Sequence, residues 1–511
     1  MQRTGRARKW EQDEVTTPRS AISALAVCLT LAGCMVGPNF RQPDAPTTGT
    51  YTESPLPEQT AASPGNGGNA QRFVTSQDIS AQWWSLFQSD PLDRLVRDSL
   101  TNSPTLTAAL ATLRQARENL IAERGALLYP QVDGSLGATR EKITGASVGE
   151  PGVGSEIFNL FNASVNVSYA LDVAGGNRRQ LEGLQALVDY QVYQLEGARL
   201  TLTANVVTTA IREAQLRAQI KATQDILAAE EKQVESIETQ YRLGAVARLT
   251  LTTQRSQVEQ TRALLPPLER ELAKTRHQLA VLSGKLPSEA ALPAFDLDAL
   301  ILPQDLPVSV PSSLVRQRPD IQAAEALLHE ASAEIGVATA NEYPKINLTG
   351  SIGEVALQAH SLFAGPAVWS IGAGLLQPLF HGGELEARRR AAVAGYDQAE
   401  AQYRQTVLLA FQNVADALRS LEADARALEA QSRATQYARE TLDLTQRQYQ
   451  LGGTGILALL IAQQQYQQQR LNLVITQAAR YADTAALFQA LGGGWWNRDP
   501  QAAASADAQS K

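Results

Sequence analysis

The sequence predicts a mainly helical chain whose helices are far longer than a globular core requires, joined to a small complement of β-strands. Three observations carry this reading. Two stretches, 177–243 and 384–451, run for over sixty residues each without a proline. Four short segments alternate apolar and polar residues along the chain. A set of paired motifs recurs in one order at spacings near 206–214 residues, which marks an internal duplication.

The 511 residues carry a formal net charge of -7 and a pI near 5.4, which gives no reason to expect nucleic acid as a partner. No stretch reaches the ~18–20 apolar residues that a membrane-spanning helix needs. The only cysteines are Cys28 and Cys34, so no disulfide framework, thiolate metal site or redox pair is available to hold the fold. His277, His329, His360 and His381 are scattered and do not make a ligand spacing. No Ser/His/Asp or paired-carboxylate arrangement can be defended from spacing, and the chain reads as a non-enzyme without cofactor or metal.

The N-terminus reads as an address. Arg19 leads into the apolar run 20–33, too short to cross a bilayer and of the length of a signal-peptide core. The run ends in Leu31-Ala32-Gly33-Cys34, which resembles the lipobox of bacterial lipoproteins. The resemblance implies a signal peptide over 1–33 and a lipidated Cys34 bearing S-diacylglycerol and N-palmitoyl groups, with Cys28 discarded. Residues 34–75, rich in Pro, Gly, Thr and Asn, read as an extended tether.

The duplicated body follows as 76–285 and 311–496, separated by a linker at 286–310 and trailed by a disordered tail at 497–511. Tyr129-Pro130 recurs as Tyr343-Pro344, Gly175-Gly176 as Gly382-Gly383, Tyr190 as Tyr396, and Tyr241-Arg-Leu-Gly244 as Tyr449-Gln-Leu-Gly452. Each repeat has one grammar: a helix ending at Tyr-Pro, two alternating segments, a Gly-Gly, a very long helix, a Tyr-x-Leu-Gly turn and a return helix. The long stretches are dominated by Ala, Leu, Gln, Glu and Arg, all good helix formers. Over sixty residues at ~1.5 Å each make a rod of roughly 100 Å, which implies antiparallel coiled coil or a fibrous wall. The return helices are expected over 249–282, interrupted at Pro266-Pro267, and over 456–491.

Strands are expected at about 131–140, 161–171, 345–353 and 367–377. In the second, Phe161, Ala163, Val165, Val167, Tyr169 and Leu171 alternate with Asn162, Ser164, Asn166 and Ser168. Two readings fit: a half-buried sheet of a soluble domain, or part of a transmembrane barrel with apolar residues toward lipid and polar ones toward a wet lumen. The barrel reading forces oligomerisation, because exposed strand edges in hydrocarbon cost several kcal/mol per unpaired backbone group. Two copies would give eight strands and three would give twelve.

Further phrases point to a family. They are Arg318-Pro-Asp-Ile-Gln-Ala-Ala-Glu325, Ile335-Gly-Val-Ala338, Tyr343-Pro-Lys-Ile346, Pro378-Leu-Phe-His-Gly-Gly383, Ala410-Phe-Gln-Asn-Val-Ala-Asp-Ala-Leu418 and Ala490-Leu-Gly-Gly-Gly-Trp495, with Trp83-Trp84 and Tyr169-Ala-Leu-Asp172 in the first repeat. As a collinear set with the lipobox they closely resemble the TolC-like outer-membrane efflux factors, in the NodT-type lipoprotein branch. The resemblance implies a homotrimer: a twelve-stranded barrel in the outer membrane, an α-barrel tunnel across the periplasm, and an equatorial belt to which 285–320 and the C-terminal region contribute. It implies a passive exit duct for small molecules, anchored to outer-membrane lipid, with a periplasmic adaptor and an inner-membrane pump of the resistance-nodulation-division (RND) type as partners. The alternatives are a type I protein-secretion duct and a non-conducting coiled-coil envelope lipoprotein.

In this family the tunnel narrows at the turns between long and return helices, here 241–251 and 449–459. Gly244, Gly452, Gly453 and Gly455 suit turns that need unusual backbone angles. Leu457 stands in the position of a family constriction leucine. Where relatives often place a pore-facing Asp, this chain has Ile461, with Thr253 as its first-repeat counterpart, just as Leu249 answers Leu457. The resemblance therefore implies a gate at Leu249, Thr253, Leu457 and Ile461 that is apolar where relatives carry carboxylates.

Overall fold

The computed structural model describes residues 35–75, 77–144, 154–365 and 367–498, so the signal peptide, Cys34 and all but the start of the expected tail lie outside the described residues. In chain order the elements are β1 (Arg72–Thr75), α1 (Asp90–Asn102), α2 (Pro104–Leu128), β2 (Gln131–Ile143), β3 (Glu156–Leu171), α3 (Gly176–Arg242), α4 (Arg248–Arg262), α5 (Leu265–Leu282), β4 (Asp305–Val308), α6 (Pro311–Gln317), α7 (Pro319–Ala340), β5 (Lys345–Ala356), β6 (Ala367–Leu376), α8 (Glu384–Gln450) and α9 (Ile456–Ala490), with short 3-10 turns between them.

The long helices α3 and α8 have 67 residues each. Their starts have local causes. The Asp172 carboxylate accepts from the backbone N–H of Asn177 and of Arg178, both at 3.0 Å, and so satisfies orphan donors at the head of α3. Gly382 and Gly383, at φ +61° and +83°, turn the chain into α8. The first return helix breaks at Ala263 and Leu264, and the two prolines sit in the first turn of α5, where missing N–H groups cost nothing.

The chain folds into two compact units, each drawing on both repeats. One holds the chain through Phe40, Asn119–Gln185 and Glu330–Tyr396. Its centre is a four-stranded antiparallel sheet in the order β2-β3-β5-β6. The β2/β3 hairpin extends past the alternating segments because backbone pairing continues through charged residues, with Arg140 opposite Asn159 and Lys142 opposite Ile157. The register lines up side chains in rows across the sheet. Asp133, Asn166, Ser351 and Ser370 form one row, and the Ser351 and Ser370 hydroxyls meet at 2.8 Å. The neighbouring row, on the opposite face, is Val132, Val167, Gly350 and Ile371.

The other unit holds Arg41–Glu118, Ala186–His329 and the chain from Asp397 onward. Its core packs Trp83 face to face with Phe488, ring centroids 5.4 Å apart, and buries Phe87, Leu418, Leu421 and Tyr481 fully. Glu213, fully buried, accepts from Arg217 at 2.6 Å, Arg276 at 2.9 Å and the Phe295 N–H at 3.0 Å, which meets the requirement that a buried carboxylate be paired. Much of the expected tether is pinned in this unit. The Tyr51 hydroxyl donates to the Ser309 carbonyl at 2.9 Å, and β1 pairs in parallel with β4, Arg72 opposite Asp305. The motif residues Arg318 and Trp495 are packing devices: Arg318 donates to the Ala490 carbonyl at 2.8 Å, and the Trp495 indole donates to the Gln317 carbonyl at 2.7 Å.

Candidate channel gate

The two hairpin turns are built alike. After α3, the Gly244 N–H donates to the Tyr241 carbonyl at 2.9 Å and the Ala245 N–H to the Gln240 carbonyl at 2.9 Å. After α8, the Gly452 N–H donates to the Tyr449 carbonyl at 3.0 Å and the Gly453 N–H to the Gln448 carbonyl at 2.8 Å. Gly244 and Gly452 hold φ of +74° and +75°, the left-handed cap that closes a helix. Gly453 and Gly455 do not: Gly453 is outside the left-handed region, and Gly455 is extended at φ -87° as the residue before α9. The expectation that all four glycines need unusual angles is corrected to Gly244 and Gly452. One left-handed residue per turn suffices for this cap.

Beyond the turns, one face of each return helix is uncovered within the chain. Leu457 and Ile461, one turn apart on α9, are 68% and 48% exposed, while Leu459, Leu460 and Ala462 are buried. Leu249 on α4 is 76% exposed. Thr253, half-buried, spends its hydroxyl on the Leu249 carbonyl at 2.8 Å. The four residues expected at the gate thus occupy matching positions on the two return helices. An exposed leucine alone means little; paired apolar residues at matching sites of a duplicated hairpin are more informative.

Sequence reasoning missed what lies behind this face. The Gln464 side-chain amide of α9 donates to Gln257 Oε1 of α4 at 2.9 Å, and the Gln257 amide donates to Glu230 Oε1 of α3 at 3.4 Å. Glu230 and Gln257 are buried, and burial raises the Glu230 carboxyl above the usual carboxylate range, with the Thr261 and Gln257 side chains beside it opposing that shift. Gln254, fully buried, and Gln467, also buried, add amide atoms without a hydrogen-bond partner to the same helices. The signal was available: six of the seven residues 463–469 are glutamine, an unusual content for a helix with a buried face. Nearby, Arg470 of α9 pairs with Asp225 of α3 at 2.9 Å, and Arg255 with Glu238 at 2.5 Å. Such exposed pairs contribute about 0–1 kcal/mol each and set register more than stability.

The sheet also leaves an apolar face uncovered within the chain. Val132, Leu136, Ile352, Trp369 and Ile371 are 58–83% exposed and share the apolar face. Every residue of β6 is exposed. Among the described residues, no helix is long and apolar enough to cross a membrane.

The model of the family described as outer membrane efflux protein matches residues 95–285 and 310–493. The pyoverdine export outer membrane protein OpmQ of Pseudomonas aeruginosa is 32% identical over 421 residues, covering 81% of this chain and 87% of that protein. The toluene efflux pump outer membrane protein TtgC of Pseudomonas putida is 29% identical over 494 residues, 95% of this chain and 97% of that one. The solved structure of the outer-membrane channel OprN superposes with a TM-score of 0.80 at 28% identity, covering 90% of this chain and 100% of that one.

Proposed function

The chain belongs to the outer membrane efflux protein family, and from that membership we propose that it works as a lipid-anchored homotrimer whose strands close into one transmembrane barrel and whose hairpin turns form an apolar gate. Its function is that of the outer-membrane channel component of a tripartite efflux system. A periplasmic adaptor and an inner-membrane pump of the RND type complete the system, and the duct passes what the pump delivers.

The observation that carries the barrel is the four-stranded sheet with two free edges and an uncovered apolar face. The strands alternate in direction from β2 to β6, so β6 of one copy meets β2 of the next antiparallel, and a ring of copies closes without leaving an edge. Three copies give twelve strands of 10 to 16 residues, long enough to span at the usual tilt. The apolar rows then face lipid, and the row of Asp133, Asn166, Ser351 and Ser370 faces the lumen.

In the trimer Leu457 and Ile461 of each copy point toward the axis at the tip, with Leu249 and Thr253 beside them. Diacylglycerol and an N-acyl group on Cys34 anchor the chain in the inner leaflet of the outer membrane. The supporting feature is the Leu31-Ala32-Gly33-Cys34 sequence.

The test is planar-bilayer conductance of the detergent-purified lipidated protein, with oligomer mass measured on the same sample. A trimer of low conductance is expected. A monomer that binds membranes only by its lipid and never conducts would overturn the reading and leave an envelope scaffold.

A further inference from the structure

The first residues after Cys34 do not trail into solvent. Within the unit that carries the sheet, the Val36 N–H donates to the Ala174 carbonyl at 3.0 Å. Arg179, in the first turn of α3 and 1% exposed on its side chain, spends its guanidinium on this strap. Its Nε donates to the Val36 carbonyl at 3.1 Å, and its Nη2 donates to the Gly37 carbonyl at 3.3 Å and to Asn39 Oδ1 at 2.8 Å. Its Nη1 pairs with Glu182 at 2.7 Å, which balances the buried charge.

Three glycines make room for this arrangement. A Cβ on Gly175 would lie 2.8 Å from the Met35 Cα, and one on Gly37 would lie 2.5 Å from the Gly336 Cα. One on Gly336 would strike the Arg179 side chain at 2.7 Å. The strap, the arginine and α7 are therefore fitted to one another without slack.

The duplication supplies an internal control. The position matching Arg179 in the second repeat is Glu386, which is 63% exposed and paired with Arg390 on its own helix. The position matching Gly336 in the first repeat is Ala122, which is exposed. The equivalent pair, Glu386 on α8 and Ala122 on α2, therefore has neither the buried arginine nor the glycine. Ordering a long arginine side chain at a helix start costs rotamer freedom. On Arg179 that cost is offset by three hydrogen bonds to the strap.

We propose that Gly175, Arg179 and Gly336 form a cradle that fixes the residues following an acylated Cys34 at the junction of β3 and α3, so that the acyl chains enter the inner leaflet of the outer membrane beside the sheet and guide its strands into the bilayer. The inference rests on the acylation of Cys34 proposed above. Cys34 is bonded to Met35, and consecutive Cα atoms lie about 3.8 Å apart. Val36, two residues after Cys34, is tied to Ala174, three residues past Leu171, the last residue of β3. A free tether would let the lipid sit anywhere around the chain; the cradle gives it one depth and one side. Arg179 acts here as a positioning residue for the anchor.

The experiment uses the full-length protein in cells, with Arg179→Met and, separately, Gly37→Val. Arg179→Met removes the hydrogen bonds at similar side-chain length. Gly37→Val displaces the strap without substituting any residue of α3, α7 or the strands. Palmitate incorporation, outer-membrane fractionation and the rate of forming the heat-modifiable oligomer are followed after a pulse of synthesis. Both variants should take up palmitate and reach the outer membrane like the parent, and both should assemble roughly tenfold more slowly, the effect of losing about one charge-assisted hydrogen bond. Assembly of both at the parental rate overturns the inference, and so does slow assembly of only one of them, since that marks damage to a helix or to the strap alone. If the parent itself takes up no palmitate, acylation falls and the inference falls with it.

Discussion

Gln464 donates to Gln257 at 2.9 Å, and this one bond ties the return helix of the second hairpin to that of the first, with Glu230 next in line. Gln257→Leu should therefore do more than remove a contact: it leaves the buried Glu230 carboxyl short of a donor. A cost of about 1–3 kcal/mol is expected. Adding Glu230→Met should recover most of it, because replacing both partners by apolar groups of similar size is nearly neutral. Denaturant unfolding of the two singles and the double decides this; equal losses in Gln257→Leu and in the double would refute the coupling.

The same carboxyl predicts a pH effect. Burial raises the Glu230 pKa in the folded chain, so the folded state holds the proton more tightly than the unfolded one. Its contribution is most favourable below the ordinary value of 4.5 and is lost as pH rises through the raised folded value. Glu230→Gln should flatten stability against pH over that window and raise Tm at neutral pH. A parallel pH profile for variant and parent would rule it out.

Asp483 offers a second window. Burial, with Asp424 beside it, pushes its carboxyl up to about 7 from 3.8. Stability linked to it is present at low pH and lost as pH rises between those two values. Asp483→Asn should remove that slope and stabilise the protein at pH 8 by about 1 kcal/mol, a figure reduced for partial exposure and screening. Thermal melts at pH 5 and pH 8 check the sign.

At the gate, Leu457→Ser with Ile461→Ser should raise single-channel conductance severalfold, while Leu249→Ser should act in the same direction more weakly beside the already polar Thr253. Unchanged conductance in the double variant would place the constriction elsewhere.

The sheet gives a face-specific prediction. Ile371→Lys, on the apolar row, should cost about 2–4 kcal/mol if that face meets the bilayer midplane, and should impair membrane assembly. Ser370→Lys, one residue away on the polar row, should assemble and alter ion selectivity instead. Equal tolerance of both lysines would sink the assignment of faces.

These residues also mark how far the sequence was legible. The long helices and the strands were readable because their cause is local: unbroken runs of helix formers, and alternation such as Val165-Asn166-Val167-Ser168. The matched turns were readable because the duplication repeats Tyr-x-Leu-Gly. The parallel pair β1/β4 was not, since four residues per strand at a separation of over two hundred give no local pattern. The relay from Gln464 to Glu230 was not, because three helices supply one side chain each and α9 lies about two hundred residues from α3 and α4. Arg179 carried no signal in the sequence, because its partners on the strap lie over a hundred residues away. The glycine expectation erred in the other direction, taking four glycines as four demands where each turn has one.

The middle pair of the sheet joins β3 of the first repeat to β5 of the second, Phe161 opposite Ala356. In the proposed ring this pairing and the contact between copies are equivalent in kind, so the wall consists of six hairpins, three seams of which are covalently tethered. A half-length ancestor would have needed six copies to close the same circle, every hairpin identical. Fusion halves the reaction order of assembly and frees each hairpin to specialise. One repeat carries Thr253 and Arg179, while the other carries Ile461 and Glu386, differences that a sixfold-symmetric ring could never have held.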